Sequence, residues 1–209
     1  RGEPAGTKRP PPLKALGDGF AYIRANGTIF TLLILAFAPV LLGMPYQQLM
    51  PVFASDVFDV GSTGLGLLLT FNGLGALVGS LTIASMTAFR RKGLLQMMLG
   101  IAFGLSLAVF AFGQSYIIAL VALVVIGFVS SGFQSLNSTL VMSNTESAYH
   151  GRVMSVYMLT FSAMPLGVVP FGALADRYGA PITIGIGGLI LAVVIALVGI
   201  FHPSYRHIQ

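Results

Sequence analysis

The sequence contains no cysteine and no tryptophan, and it carries very little charge for its length. Only 8% of its 209 residues are Asp, Glu, Lys or Arg, whereas 56% are hydrophobic. Soluble domains carry about 25% charged residues, because charge covers a surface that faces water. The low charge excludes a disordered chain and a cytosolic globular enzyme, and the lack of cysteine excludes a disulfide-rich secreted scaffold. An integral membrane protein is the remaining class.

Six long stretches of the sequence contain no charged residue. Each is long enough for a helix to cross a bilayer core, which takes about 20 apolar residues. We call them spans 1 to 6, and they lie at residues 28–53, 62–88, 93–113, 116–142, 153–174 and 180–201. A charge at the centre of a membrane helix costs roughly 2.5–3.5 kcal/mol, which accounts for the exclusion. The pattern predicts an all-α polytopic membrane protein with a six-helix bundle over residues 28–201.

Lysine and arginine are distributed unequally between the two ends of the spans. Ten of the eleven lie before span 1, between spans 2 and 3, between spans 4 and 5, or after span 6, and only Arg177 lies on the other side. The positive-inside rule therefore predicts a multi-pass protein of the plasma membrane with both ends of this segment in the cytoplasm. Because this topology explains the net charge of +5, we expect a lipid bilayer as partner and no nucleic acid.

Two short segments flank the predicted bundle. Residues 1–27 begin with a Pro-rich basic stretch, which predicts a cytoplasmic linker. Within it, residues 16–24 fit a short interfacial helix and a plain connector equally well. Residues 202–209 are predicted to be a cytoplasmic tail. Because the chain starts inside a linker, we expect it to be the later part of a longer protein.

Uncharged polar residues are concentrated on spans 1 and 4, with fewer on spans 2 and 5, and those of span 4 recur at helical spacing on one face. Amide side chains facing lipid would lack hydrogen-bond partners, so these residues are expected to face other helices or water. Interhelical hydrogen bonds, worth about 0.6 kcal/mol each, are one explanation. Span 4 has more polar residues than packing needs, which favours the wall of a solute cavity. The predicted cavity residues are Gln47, Gln48, Asn72, Ser130, Gln134, Asn137 and Ser138.

The polarity of the spans repeats with a period of three helices. Spans 1 and 4 are the most polar, spans 2 and 5 are intermediate, and spans 3 and 6 are nearly apolar. This order predicts two inverted three-helix repeats. Prolines in spans 1 and 5 are expected to kink these helices, which suits a gate and a static packing kink equally.

The sequence offers little chemistry for catalysis. The three histidines, His150, His202 and His207, lie outside the spans, and no cluster has metal-ligand spacing. No serine within a span has a charged base beside it. We therefore predict that the chain is not an enzyme and takes no metal or cofactor.

Several stretches follow the pattern of a known family. They are GFAYIR at 19–24, LMPVF at 49–53, GLGLLLTFNGLG at 64–75, NSTL at 137–140, GRVMSVYM at 151–158 and PLG at 165–167. Together they resemble the C-terminal half of a major facilitator superfamily transporter, in the enterobactin-exporter-like branch. The resemblance implies that spans 1 to 6 are helices 7 to 12, with spans 1 and 4 lining a central cavity. It also implies a missing N-terminal six-helix half as a partner.

Charged residues between the spans are candidates for gating or for fixing the topology. They are Arg90, Arg91, Arg152, Asp176 and Arg177. The stretch GALADRYG at 172–179 resembles the superfamily's loop motif, but it follows span 5. The stretch FRRKG at 89–93 occupies the motif's usual position and lacks the acidic residue, so its arginines are expected to act as topological anchors.

The remaining charged candidates have several possible contacts. Asp176 and Arg177 are expected to form an exposed ion pair worth under about 1 kcal/mol, or to contact helix ends. Arg152 resembles an arginine of the family pattern, and it is expected to contact Glu146 or the cytoplasmic ends of neighbouring helices.

The resemblance implies transport of a small-molecule solute by alternating access, and export of a drug or siderophore-type molecule is the favoured function. Two alternatives stay open: an uptake or lipid-handling facilitator of the same fold, and a non-transporting or self-associating six-helix protein. Proton coupling needs an ionisable group at membrane depth, and the predicted spans contain none. Any coupling carboxylate is therefore expected in the missing half.

Overall fold

A computed structural model describes residues 12–86 and 91–201, and all regular elements of these residues are helices. Six of the helices are long and apolar enough to cross a membrane, which confirms the predicted all-α fold with six spans. Spans 1 to 6 are Gly27–Val57, Gly61–Ser85, Lys92–Phe112, Tyr116–Ser143, Ser147–Tyr178 and Ala180–Phe201. The helix Pro12–Ala25 precedes span 1, and we call it the linker helix. We call the end of the bundle that carries it the linker face, and the other end the opposite face.

Spans 1 and 5 extend beyond the apolar stretches that predicted them. Span 1 runs to Val57, past Asp56, and span 5 runs from Ser147 to Tyr178. A helix satisfies its own backbone hydrogen bonds in water as well as in lipid, so hydropathy marks only the part inside the bilayer. Span 2 ends at Ser85, short of the predicted residue 88. Residues 1–11, 87–90 and 202–209 lie outside the described residues, and Arg90, the Pro-rich stretch and the tail lie with them.

The most extensive contacts between spans follow the pattern that two three-helix repeats require. Span 2 packs along span 4, and span 5 contacts span 1. Span 3 packs along span 4, span 6 contacts span 1, and spans 3 and 6 pack against each other. Exchanging spans 1, 2 and 3 with spans 4, 5 and 6 leaves this set of contacts unchanged.

Burial follows the same repeat. In spans 2 and 5 only 17% of the most apolar window is buried, compared with 44–56% in the other four spans. Spans 2 and 5 are therefore the two outlying members of the bundle, and most of the buried core lies among spans 1, 3, 4 and 6.

Glycine allows the closest helix pairs to meet backbone to backbone. A methyl group on Gly75 of span 2 would collide with the carbonyl of Val124 in span 4. A methyl group on Gly104 of span 3 would collide with the carbonyl of Gly188 in span 6. Lipid supplies no hydrophobic driving force between helices, so this close van der Waals packing carries much of their association.

Span 1 is interrupted by a wider helical turn. Its α-helix ends at Ala38, and a π-helical turn runs through Pro39–Gly43. The N–H of Met44 donates to the carbonyl of Pro39 over 2.8 Å, which closes the turn. Proline has no N–H for an α-helical hydrogen bond and its ring crowds the preceding turn, so the helix rearranges there.

Span 5 is also interrupted, and its break touches that of span 1. The helix His150–Ser162 is capped by Ala163. A second helix, Met164–Tyr178, follows directly and has Pro165 in its first turn. A methyl group on Gly167 would meet the backbone of Leu41, inside the wide turn of span 1. The predicted proline irregularities are therefore present, and they lie side by side.

The contact of Gly75 with span 4 predicts that Gly75→Ala destabilises the bundle. The added methyl group forces a backbone shift, which typically costs about 1–3 kcal/mol. We expect the thermal midpoint of the purified protein to fall by roughly 2–4 °C for each kcal/mol.

Gly73→Ala is the matched control, because nothing lies within 4 Å of a methyl group at Gly73 on the same helix. This change should leave the midpoint unchanged or raise it slightly, since alanine is the better helix former. Equal midpoints for the two variants would contradict close packing of spans 2 and 4.

Candidate functional site

The polar face of span 4 is half-buried and runs along the helix toward the linker face. Ser130, Gln134 and Ser138 lie on it at helical spacing. The hydroxyl of Ser130 donates to the carbonyl of Gly127 over 3.3 Å, and that of Ser138 donates to the carbonyl of Ser135 over 3.0 Å. Among the described residues, the amide of Gln134 has no hydrogen-bond partner. Gln134 is therefore placed to bond to a solute or to water.

The side chain of Asn137 is buried, unlike those of its three neighbours on this face. It is 1% exposed, and it lies beside the side chain of Tyr157 in span 5. Its Oδ1 atom has no hydrogen-bond partner in the described part of the chain. An unsatisfied buried acceptor costs about 1–3 kcal/mol, so this atom has a strong tendency to bind a donor.

Asn137 lines a small recess between spans 1, 4 and 5. The recess has a volume of about 10 Å³, and its walls include Pro39, Val40, Phe133, Gln134, Tyr157 and Phe161. A volume of this size is close to the minimum that holds one water molecule. The recess lies beside the wide turn of span 1 and beside the last turn of span 5 before its break.

Asn72 joins spans 1, 2 and 4 at a buried tyrosine. Its Nδ2 atom lies 2.9 Å from the hydroxyl of Tyr46 and 3.3 Å from the carbonyl of Leu123, and it donates to both. Tyr46 is 1% exposed. The donor end of the Asn72 amide therefore forms interhelical hydrogen bonds, which is one of the two explanations that the sequence offered for its polar residues.

Gln47 and Gln48 are exposed on the part of span 1 beyond the wide turn, within Pro45–Val52. The Nε2 atom of Gln47 lies 3.4 Å from the hydroxyl of Tyr46, a long and weak hydrogen bond. Gln48 makes no hydrogen bond to another side chain of the described residues.

Six of the seven predicted cavity residues form two groups, and Gln48 belongs to neither. Ser130, Gln134, Asn137 and Ser138 lie together on span 4, whereas Gln47 and Asn72 meet at Tyr46. Leu123, which bonds to Asn72, precedes Ser130 by seven residues, about 10 Å along a helix. The prediction that these residues line a solute cavity stays a prediction.

An open cleft of about 580 Å³ lies at the end of the polar face nearest the linker face. It is lined by Ser138, Thr139, Met142, Ser143 and Met154. Of these five residues, only Ser138 is among the predicted cavity residues. Thr139 and Ser143 continue the polar run of span 4, so the sequence could have predicted them as lining residues. No feature of the sequence distinguishes Met142 and Met154 from methionines of the core.

The linker helix is fastened to the start of span 5 by aromatic contacts. The rings of Tyr22 and Tyr149 stack with centroids 4.2 Å apart at 10°. The hydroxyl of Tyr22 accepts a hydrogen bond from the N–H of Glu146 over 3.3 Å. The guanidinium carbon of Arg152 lies 5.3 Å from the ring centre of Tyr149, within cation–π range. Arg152 therefore supports the surface on which the linker helix rests.

The other charged candidates lie at exposed helix ends. Arg91 immediately precedes span 3. Within the described residues, Asp176 and Arg177 form no ion pair with each other, and the guanidinium of Arg177 lies 5.4 Å from the ring centre of Tyr178. In the same part of the chain, no group of His, Cys, Asp or Glu could hold a metal ion.

Six apolar helices with a polar face on a central span define a multi-pass membrane protein. The family described as transmembrane secretion effector, within the major facilitator superfamily, matches residues 9–205. The chain belongs to this family of transporters. Its predicted resemblance to enterobactin-exporter-like permeases is confirmed by the relatives described next.

Three relatives cover nearly all of this chain. The staphyloferrin A transporter of Staphylococcus aureus is 25% identical over 89% of this chain and 46% of its own length. The enterobactin exporter EntS of Shigella flexneri is 27% identical over 90% and 45%. The multidrug efflux pump Tap of Mycolicibacterium fortuitum is 26% identical over 94% and 48%. The chain thus spans about half the length of these curated relatives, and no solved structure matches it significantly.

The junction at Tyr46 predicts an energetic coupling between spans 1 and 2. In a double-mutant cycle of Tyr46→Phe and Asn72→Leu, we expect a coupling of about 0.6 kcal/mol, and at most about 1.7 kcal/mol, because both variants remove the same hydrogen bond. The measurement is the free energy of unfolding in mixed micelles. A control cycle pairs Tyr46→Phe with Thr70→Val, because Thr70 bonds only to its own helix at Gly66. Equal coupling in both cycles would refute the junction.

The stack of Tyr22 on Tyr149 predicts that Tyr22→Ala loosens the linker helix. An aromatic pair is worth about 0.5–1.5 kcal/mol beyond its buried area, so backbone hydrogen exchange in the linker helix should accelerate up to about tenfold. Tyr22→Phe is the matched control, because it keeps the ring and loses only the hydroxyl contact with Glu146. Identical exchange in Tyr22→Ala and the parent protein would show that the stack does not hold the helix.

Proposed function

We propose that this chain is the C-terminal half of a larger permease that exports a small molecule across the plasma membrane. The molecule is a drug or a siderophore-type compound. Two observations support this proposal: the printed names of the three relatives refer to a siderophore transporter, an exporter and an efflux pump, and the chain corresponds to about half of each.

The observation that carries the proposal is the polar face of span 4. Its central amide, Gln134, is half-buried and unbonded among the described residues, and the face ends in the cleft at Ser138, Thr139 and Ser143. A polar strip with free hydrogen-bonding groups is costly against lipid, so it belongs on a water-filled solute path. With the linker face in the cytoplasm, as the Lys and Arg distribution predicts, the cleft is the cytoplasmic entry of that path.

The proposed mechanism is alternating access, in which this half rocks against the other half. The touching breaks of spans 1 and 5 support a bending point. On the linker side of the breaks, Gly27–Ala38 contacts His150–Ser162, and on the opposite side Pro45–Val52 contacts Met164–Tyr178. Each side is therefore a pair of packed helix segments, and bending at the breaks moves each pair as a unit.

The proposed partner is the missing six-helix half. Large apolar side chains are exposed along the two outlying spans, among them Leu77 and Leu81 of span 2 and Leu166 and Val169 of span 5. Exposed apolar faces within a bilayer contact either lipid or another protein segment. We propose that the second half covers part of these faces and that lipid covers the rest.

The test uses the complete permease that contains this chain, expressed in cells that lack their major efflux pumps. Export predicts lower accumulation of ethidium or of a fluorescently labelled siderophore than in cells without the permease. Gln134→Leu should slow efflux about tenfold, because the loss of one hydrogen bond to the solute costs about 1.4 kcal/mol. Gln114→Leu, in the exposed turn between spans 3 and 4, is the matched control and should leave efflux unchanged.

Inverted membrane vesicles test the direction of transport. An exporter accumulates the probe inside such vesicles, whereas an importer depletes it. Unchanged probe movement with and without the permease, for both probe classes, would contradict the proposed function. Equal effects of the Gln134 and Gln114 variants would contradict the assignment of the solute path to span 4.

A further inference from the structure

We propose that the recess at Asn137 is a specificity subsite that binds one neutral hydrogen-bond donor of the solute, a hydroxyl or an N–H group. The rest of the solute lies on the polar face of span 4. This inference deepens the proposed transport function and rests on it.

The side chain of Asn137 carries an acceptor without a partner. The amide is almost fully buried, and its Oδ1 atom has no partner among the described residues. Burial among Phe133, Tyr157 and Phe161 holds the side chain in place, so the acceptor is positioned before a ligand arrives. A fixed, desolvated acceptor discriminates strongly between ligands that carry a donor and ligands that do not.

The recess walls provide no partner for the acceptor of Asn137. Pro39, on the span 1 side, has no N–H, and Val40, Phe133 and Phe161 offer no side-chain donor. The Tyr157 hydroxyl and the Gln134 amide are donors in the lining, but neither hydrogen-bonds Oδ1 of Asn137. The described lining also has no acidic side chain, so a cation would lose its hydration without a counter-ion. A neutral donor fits this environment.

The recess adjoins the polar face of span 4. Gln134 and Phe161 are half-buried and line the recess, and Gln134 also lies on the polar face. The volume of about 10 Å³ admits a single small group and no ring. A hydroxyl or N–H at the edge of a larger solute can therefore enter beside Phe161, while its ring system stays on the polar face against Gln134.

The test compares two probes of nearly equal size on the purified complete permease. 2-Naphthol carries a donor, and 2-fluoronaphthalene does not. Their dissociation constants are measured by equilibrium dialysis in lipid nanodiscs. The preference for 2-naphthol over 2-fluoronaphthalene is the ratio of their dissociation constants. This preference should be about tenfold greater in the parent permease than in Asn137→Leu, because the variant loses one net hydrogen bond to 2-naphthol. Expressing the preference relative to the variant cancels the different partitioning of the probes into lipid.

Asn144→Leu is the matched control, because Asn144 caps span 4 near the linker face and lies outside the recess. It should keep the preference of the parent permease. Asn137→Ser is a second variant with a smaller volume change, and it should lower the preference by at least about threefold. It keeps the test decisive if Asn137→Leu does not fold.

Three results would overturn the inference. They are an equal preference in the parent permease and the Asn137 variants, an equal loss in Asn144→Leu, and no detectable 2-naphthol binding by a permease that exports ethidium. In those cases the recess holds no solute group, and at most one water. Ethidium efflux by the parent permease is measured separately, so loss of export contradicts the proposed function, whereas export without a donor preference contradicts only the subsite.

Discussion

The structure depends on one constraint: inside a bilayer, each polar group must find its partner within the protein. Backbone groups meet it by forming helices, which is why all regular elements of the described residues are helical. Side chains meet it by bonding across helices, as Asn72 does to Tyr46, or to their own helix, as Ser130 and Ser138 do. A polar atom without a partner, such as Oδ1 of Asn137, is therefore a candidate site for a ligand.

The same constraint explains why the wide turn of span 1 lies inside the bundle. A wide turn such as Pro39–Gly43 loosens the hydrogen bonding of its helix, and lipid cannot replace what is lost. Protein surrounds this turn closely. A methyl group on Gly43 would meet the Phe103 ring, and one on Gly167 would meet Leu41 of the turn. The break therefore occurs where neighbouring spans enclose it, and it is paired with the break of span 5.

Much of the fold could be predicted because hydropathy and charge act locally along the chain. The six spans and the three-helix repeat follow from this, and the repeat reappears in the contacts between spans. The ends of spans 1 and 5 could not be read from hydropathy, because a helix continues in water. The candidate site was predicted only as a set: residue spacing placed Asn137 on the same face as Ser130 and Gln134, but it could not show that Asn137 is buried.

Sequence alone determined the class of protein and the division of each span into apolar and polar parts, because transfer of a residue into lipid is a property of its own chemistry. Only the tertiary structure decided which polar groups are already used and which are free. It bonded Asn72 to Tyr46, left Gln134 unbonded among the described residues, and enclosed Asn137 against Tyr157. These outcomes depend on distances between different helices, set by close contacts such as that of Gly75 with Val124, which no single stretch of sequence contains.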